Sequence, residues 1–312
     1  MPRADHANDG GVEALPNGKS IQRIGRLRGV AGAVPPTGLV LIAVVCFQLG
    51  AATAKGLFDS VGPAGAVFLR VGFAALILLA MWRPRLGRHA PSDYALPIVF
   101  GLALAGMNFA FYSALVRIPL GVAVTLEFAG PLGVAVVGSR RLLDLLWVVL
   151  AAAGILLLAP LNLFGGVDLD PVGVALALLA GTLWGSYILL SARTGRIFPG
   201  GTGLAIAMCV GAMALVPVGV AEAGYALLDP RVLLVGLGVA LLSSAIPYSL
   251  EMEALRKLPS RVFGVLMSLE PAVAALVGFV VLGERLGPRA LAAVVLVTVA
   301  AAGASRFGER LK

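Results

Sequence analysis

The sequence predicts an all-α membrane protein, with ten transmembrane helices in two inverted five-helix repeats. Three observations lead to that expectation. The composition is too oily for a water-facing surface, apolar runs of about 20 residues recur along the chain, and one motif returns 140 residues downstream of itself. Of 312 residues, 59% are hydrophobic and 13% charged, and the mean hydropathy is +0.98. A soluble domain carries about 25% charged residues, so too little polar surface exists here to cover a globule. A membrane barrel needs alternating strands of about ten residues, and no such alternation runs through this chain. The net charge of +8 would suit nucleic acid, but the lysines and arginines flank apolar runs and read as membrane-edge residues. No nucleic-acid partner is expected.

Residues 1–35 are polar and basic, with Arg3, Lys19, Arg23, Arg26 and Arg28. No apolar stretch with a small-residue cleavage site follows early, so the segment reads as a disordered cytoplasmic tail rather than a cleaved signal. Ten candidate spans come next, at about 37–57, 63–82, 94–115, 119–139, 143–162, 171–192, 201–221, 231–255, 260–283 and 288–305. Their connections are short, which predicts that sequential helices pack as antiparallel neighbours. With the N-terminus inside, the cytoplasmic segments hold eighteen basic residues and the outer loops four. That bias predicts cytoplasmic termini at both ends and an even number of spans.

The repeat lies in "SALVRIPLGVAVTLEFAGP" (113–131) and "EALRKLPSRVFGVLMSLEP" (253–271). Ala114/Ala254, Leu115/Leu255, Pro119/Pro259, Leu126/Leu266 and Pro131/Pro271 coincide without a gap. Each copy holds five spans, an odd number, so the second enters from the opposite side. Inverted repeats place a substrate site near the bilayer midplane between the halves. The expected division is 1–35 tail, 36–162 first repeat, 163–306 second repeat and 307–312 cytoplasmic end.

Acids inside the apolar runs are the first candidates for a site. Glu127 stands about two helical turns beyond Pro119, in a run that lasts to Gly138. An ionised carboxylate in hydrocarbon costs roughly 2.5–3.5 kcal/mol, so it should face the bundle interior or a wet cavity. The alternative is a structural acid paired with a neighbouring helix. Pro131, four residues on, has no N–H for the Glu127 carbonyl. Glu270 precedes Pro271 and lies three positions later in the repeat frame, about one turn deeper. Near the end of the eighth span, Glu253 can pair with Lys257, and Glu251 reads as a snorkelling end residue that could line a vestibule.

Cations and neutral polar groups add to this set. Arg70 lies about seven residues into the second span, roughly 10 Å along the helix. It either snorkels or holds an anion. Lys55, near the end of the first span with Asp59 four residues on, has the same two readings. Asn108 and Tyr112 share one helix face, as do Trp184 and Tyr187. Ser244 and Tyr248 flank Pro247, which releases the carbonyl of Ser243. Singly these are helix–helix glue; together they form a polar seam. Gly181 and Gly185 make a GxxxG packing face. Pro131, Pro247 and Pro271 are the candidate hinges.

No enzyme motif is visible: HExxH, phosphate loop and GxSxG are missing, and both histidines, His6 and His89, lie outside the spans. Cys46 and Cys209 lie inside spans and read as small hydrophobes rather than a disulfide or metal pair. Neither a metal nor a cofactor is expected.

"LAGMNFAFYSALVRIPLGVAVTLEFAGPLGVAVVGSRR" (104–141) and "IPYSLEMEALRKLPSRVFGVLMSLEPA" (246–272) closely resemble the threonine/homoserine exporters of the drug/metabolite transporter superfamily. "AKGLF" (54–58) and "FLRVGFA" (68–74) fit the same pattern, and the likeness runs from about residue 35 to about 306. It implies ten helices in two EamA-type repeats, an inner-membrane location and export of small amino acids driven by the proton gradient. On that view Glu127 receives the substrate ammonium and exchanges it for a proton. Arg70 or Lys55 receives the carboxylate, with Asn108 and Tyr112 assisting. The wider substrate-binding set adds Trp184, Tyr187, Ser244, Tyr248 and Glu270. Expected partners are the amino acid, protons and the lipid bilayer, with a homodimer left open. A carrier for another solute (an aromatic amino acid, a nucleoside or a cationic drug) and a membrane scaffold without transport remain alternatives.

Overall fold

The computed structural model describes residues 34–84, 90–118, 120–139, 141–158, 170–273 and 288–308. Within them the chain is mostly helical, and the described residues contain no strand. The elements are α1 (Pro36–Trp82), α2 (Ala95–Leu115), α3 (Leu120–Glu127), α4 (Ala129–Gly138), α5 (Leu142–Leu158), α6 (Pro171–Ile197), α7 (Thr202–Ala223), α8 (Pro230–Ala240), α9 (Ile246–Lys257), α10 (Ser260–Met267) and α11 (Pro288–Gly308). Five stretches are long and apolar enough to cross a membrane: Leu57–Trp82, Pro91–Ala114, Pro171–Ile197, Thr202–Leu228 and Pro230–Lys257. Pro36–Gly50, Val122–Gly138, Leu142–Leu157 and Leu291–Ala304 are shorter apolar helices. Residues Pro36–Lys312 form one unit. The expected tail falls outside the described residues except for 34 and 35.

Interruptions in these helices follow from proline and glycine. α1 is two arms joined at Gly62, whose φ of 68° suits a residue without a Cβ. Pro63 starts the second arm, and the Glu222 carboxylate of α7 accepts from the Ala64 N–H at 2.7 Å, serving an orphan donor of the new helix. α3 stops at Glu127 and α4 resumes at Ala129. α10 stops at Met267, and helix resumes over 269–273 after Ser268. In both cases the last residue before the break is four positions ahead of a proline, Pro131 or Pro271, so its carbonyl has no N–H to meet. Between α8 and α9 the chain takes a π turn at Leu241–Ala245, just ahead of Pro247.

Short connections do not make successive helices the closest neighbours, which corrects that expectation. α2 packs mainly along α6 and α7, the second arm of α1 along α7, α5 along α11, and α4 along α10. The reason is where the small residues lie. Gly101 of α2 abuts the Ala207 carbonyl of α7, and Gly219 of α7 abuts the Phe68 side chain. Gly154 of α5 meets Val297 of α11, and Gly264 of α10 meets the Pro131 carbonyl. A Cβ at any of these positions would overlap its neighbour. Between helices in lipid, such close backbone approach replaces hydrophobic burial as the source of association. The outward surface is apolar, with Val137 (88% exposed), Leu142 (87%) and Leu234 (71%) suited to acyl chains.

Asp170 shows how an end is fixed. Its carboxylate accepts from Val172 N–H at 2.9 Å, capping α6, and pairs with Arg117 at 3.1 Å. The Arg117 hydrogen bond, followed by that of Val172, holds the Asp170 carboxyl below the usual aspartate range.

Candidate functional site

Arg70 lies midway along the second arm of α1 and is 5% exposed, so it does not snorkel. Its Nη2 donates to Asn108 Oδ1 on α2 and to the Tyr248 hydroxyl on α9 at 3.3 Å. The guanidinium stands 5.6 Å from the centre of the Phe47 ring. Asn108 is fixed in turn by donating to the Leu104 carbonyl at 2.7 Å. Nothing in this shell carries a negative charge. Among the described residues Arg70 makes no ion pair, and its buried Nε has no partner.

Glu127 and Glu270 are half-buried, each beside a helix break, and both lie within electrostatic reach of Arg70 and Glu127 of Glu270. Gln48, on the first arm of α1, donates to the Glu270 carbonyl at 3.3 Å. The expected GxxxG face sets the depth of Glu127: Gly181 packs on the Glu127 backbone, and Gly185 on Gly130. A side chain at Gly181 would collide with the Glu127 carbonyl, so the broken helix and α6 touch backbone to backbone. Trp184, one turn on, meets the ring of Phe128, the residue of the break, edge to face with centroids 5.0 Å apart.

Tyr187 and Tyr248 meet at 5.4 Å between ring centroids, and Phe100 backs Tyr187 at 5.4 Å. The Tyr187 hydroxyl donates to Glu251 Oε2 at 2.7 Å. Glu251 is 4% exposed, which corrects its reading as a snorkelling end residue. The sequence leaves Glu251 at a helix end or vestibule because the partner that buries it lies 64 residues away on another helix. Ser244 is fully buried, and its hydroxyl has no partner among the described residues.

Tyr112 lies one turn from Asn108 and within electrostatic reach of Tyr248. Its ring meets Phe58 edge-on at 5.5 Å, and it lines a cleft of about 110 Å³ with Pro63, Val67, Phe109 and Glu222. The side chain of Lys55 lies outside the described residues. Pro131 and Pro247 are buried and Pro271 is half-buried, each at or next to an interruption.

An apolar helical bundle that buries an arginine without a direct ion pair, hydrogen-bonded to neutral groups and with carboxylates beside helix breaks, has the make-up of a multi-pass membrane transporter. Comparison with known proteins agrees. Residues 171–306 match the model of the EamA-like transporter family. The chain is 45% identical over 274 residues to the threonine/homoserine exporter RhtA of Escherichia coli (strain K12), covering 86% of this chain and 91% of the relative. The RhtA of Salmonella typhimurium (strain LT2) gives the same figures. An uncharacterized transporter of Bacillus subtilis (strain 168), YwfM, is 30% identical over 234 residues, 72% of this chain and 77% of that one. One crystal structure, at 19% identity, shares the fold with a TM-score of 0.70 over 89% of this chain and 98% of its own. The chain belongs to the EamA-like transporter family, within reach of its threonine/homoserine exporters.

Proposed function

We propose that the protein exports small amino acids of the threonine/homoserine kind across the inner membrane by proton antiport with alternating access. The observation that carries the reading is the buried Arg70, held by Asn108 and Tyr248 and paired with no acid among the described residues. Burying a cation without a directly bonded anion is costly, and that cost is relieved when a substrate carboxylate arrives. Glu127, half-buried where α3 ends, receives the ammonium. A proton and an ammonium then compete for one carboxylate, the simplest basis for antiport. The relatives named as threonine/homoserine exporters supply the substrate class.

Ten spans in two inverted five-helix repeats are the architecture of this proposal, over 36–162 and 163–306. Two features support it. The helix breaks at Phe128 and Ser268 are separated by the offset of the sequence repeat. The packing of α2 on α6 is matched by that of α8 and α9 on α1, as a two-fold exchange of the halves requires. Pro131, Pro247 and Pro271 stand where the halves flex, and the basic bias puts both termini in the cytoplasm. Trp184, Tyr187, Ser244, Tyr248 and Glu270 line the path. Counterflow in reconstituted vesicles tests the substrate class: labelled threonine should enter against unlabelled threonine or homoserine inside. Exchange only with aromatic amino acids, nucleosides or cationic drugs would reject it.

A further inference from the structure

We propose that Glu251 is a proton-binding residue of the transport cycle, distinct from Glu127 and linked to Arg70 through the Tyr187–Tyr248 pair. The inference rests on the exporter reading above. Glu251 sits on α9, is 4% exposed, and accepts one hydrogen bond, from Tyr187 of α6 at 2.7 Å. Among the described residues no lysine or arginine forms an ion pair with it.

The charged and titratable groups around it do not compensate it either. From α6 it meets Tyr187, and on its own helix Tyr248 stands one turn away. From 269–273, Glu270, a second acid, lies within electrostatic reach of it. Arg70 of α1 reaches this group only by way of Tyr248. Farther along α9, Glu253 pairs with Arg256 at 2.8 Å and with Lys257 at 3.3 Å. Arg256 also donates to the carbonyls of Gly195, Phe198 and Gly200, so its charge is committed at the helix end.

A carboxylate in this setting has one neutral donor, an acid nearby and no counter-charge. Binding a proton removes the charge and keeps the Tyr187 bond. The link to substrate runs through the rings. When a carboxylate takes Arg70, the Arg70–Tyr248 bond is open to exchange. Tyr248 then moves against Tyr187, whose centroid is 5.4 Å away and whose hydroxyl holds Glu251. Substrate at Arg70 thereby bears on a proton at Glu251 with no contact between them.

The test uses the full chain in proteoliposomes, with labelled threonine, and compares exchange at equal pH with accumulation driven by a pH gradient. Glu251→Gln keeps an acceptor for Tyr187 and cannot titrate. It should lower gradient-driven accumulation about tenfold more than it lowers exchange, a span typical of coupling between sites, and flatten the pH profile. Tyr187→Phe keeps the acid but removes its donor, and should move the pH midpoint of accumulation upward. Equal losses of exchange and accumulation in Glu251→Gln, or an unchanged pH profile in either variant, would overturn the proposal. If Glu251→Gln does not fold, the midpoint of Tyr187→Phe decides alone. Wild-type protein that exchanges threonine but ignores a pH gradient would instead defeat the antiport reading itself.

Discussion

Replacing Arg70 by glutamine is the sharpest perturbation of the binding site. The guanidinium is 5% exposed, uses Nη2 on Asn108 and Tyr248, and leaves Nε without a partner. Glutamine can still donate toward Asn108, so the empty protein should keep its fold. A substrate carboxylate, however, loses a two-pronged charge-assisted contact. At about 1.5 kcal/mol for each such bond the loss is roughly 3 kcal/mol, or about 100-fold in Kd. Arg70→Lys keeps the charge and loses the fork, so its Kd should rise only about tenfold. Calorimetric titration of the purified protein with threonine measures both, with the melting temperature of the ligand-free protein as control. A Kd for Arg70→Gln within about threefold of wild type, at an unchanged melting temperature, refutes the assignment of Arg70 as the carboxylate anchor.

Other consequences follow from the same geometry. Gly181→Val drives a side chain into the Glu127 carbonyl, so it should destabilise the protein by about 1–3 kcal/mol of overpacking, read as a lower melting temperature. Ser244→Ala removes a hydroxyl that bonds nothing among the described residues. It should leave the melting temperature in place and weaken threonine binding by up to about tenfold, in line with one hydrogen bond. The Asp170 carboxyl is held low, first by Arg117 and then by Val172. Its contribution is therefore complete above the ordinary aspartate range and is lost as pH falls through the lowered value. Asp170→Asn should abolish that part of the acid-dependent loss of stability, as thermal melts across acidic pH would show.

The positions of the helices were open to reading because a membrane span must be apolar along its whole length, whatever it packs against. The breaks at Glu127 and Met267 were half open. Proline chemistry marks the carbonyl that loses its donor, but not that the helix stops there and resumes after one residue. Gly181 and Gly185 were legible as a packing face, yet only the structure gives them the broken helix as partner. Neighbour relations were misread because loop length fixes direction, while small residues facing other helices fix contact. Glu251 was hidden for the same reason: its standing depends on a tyrosine on α6 that no local pattern points to. Tyr112 shares a turn with Asn108, and its ring also packs edge-on against Phe58 and lines a cleft with Pro63 and Glu222, neighbours that no local pattern names.

The measurement that bears most directly on the account is threonine movement in proteoliposomes under an imposed pH gradient, for wild type and for Glu127→Gln. Wild type should concentrate threonine in the compartment that supplies protons, and Glu127→Gln should hold it only at equilibrium. Full gradient-driven accumulation by Glu127→Gln would contradict the account, because proton and substrate would not then be sharing that carboxylate.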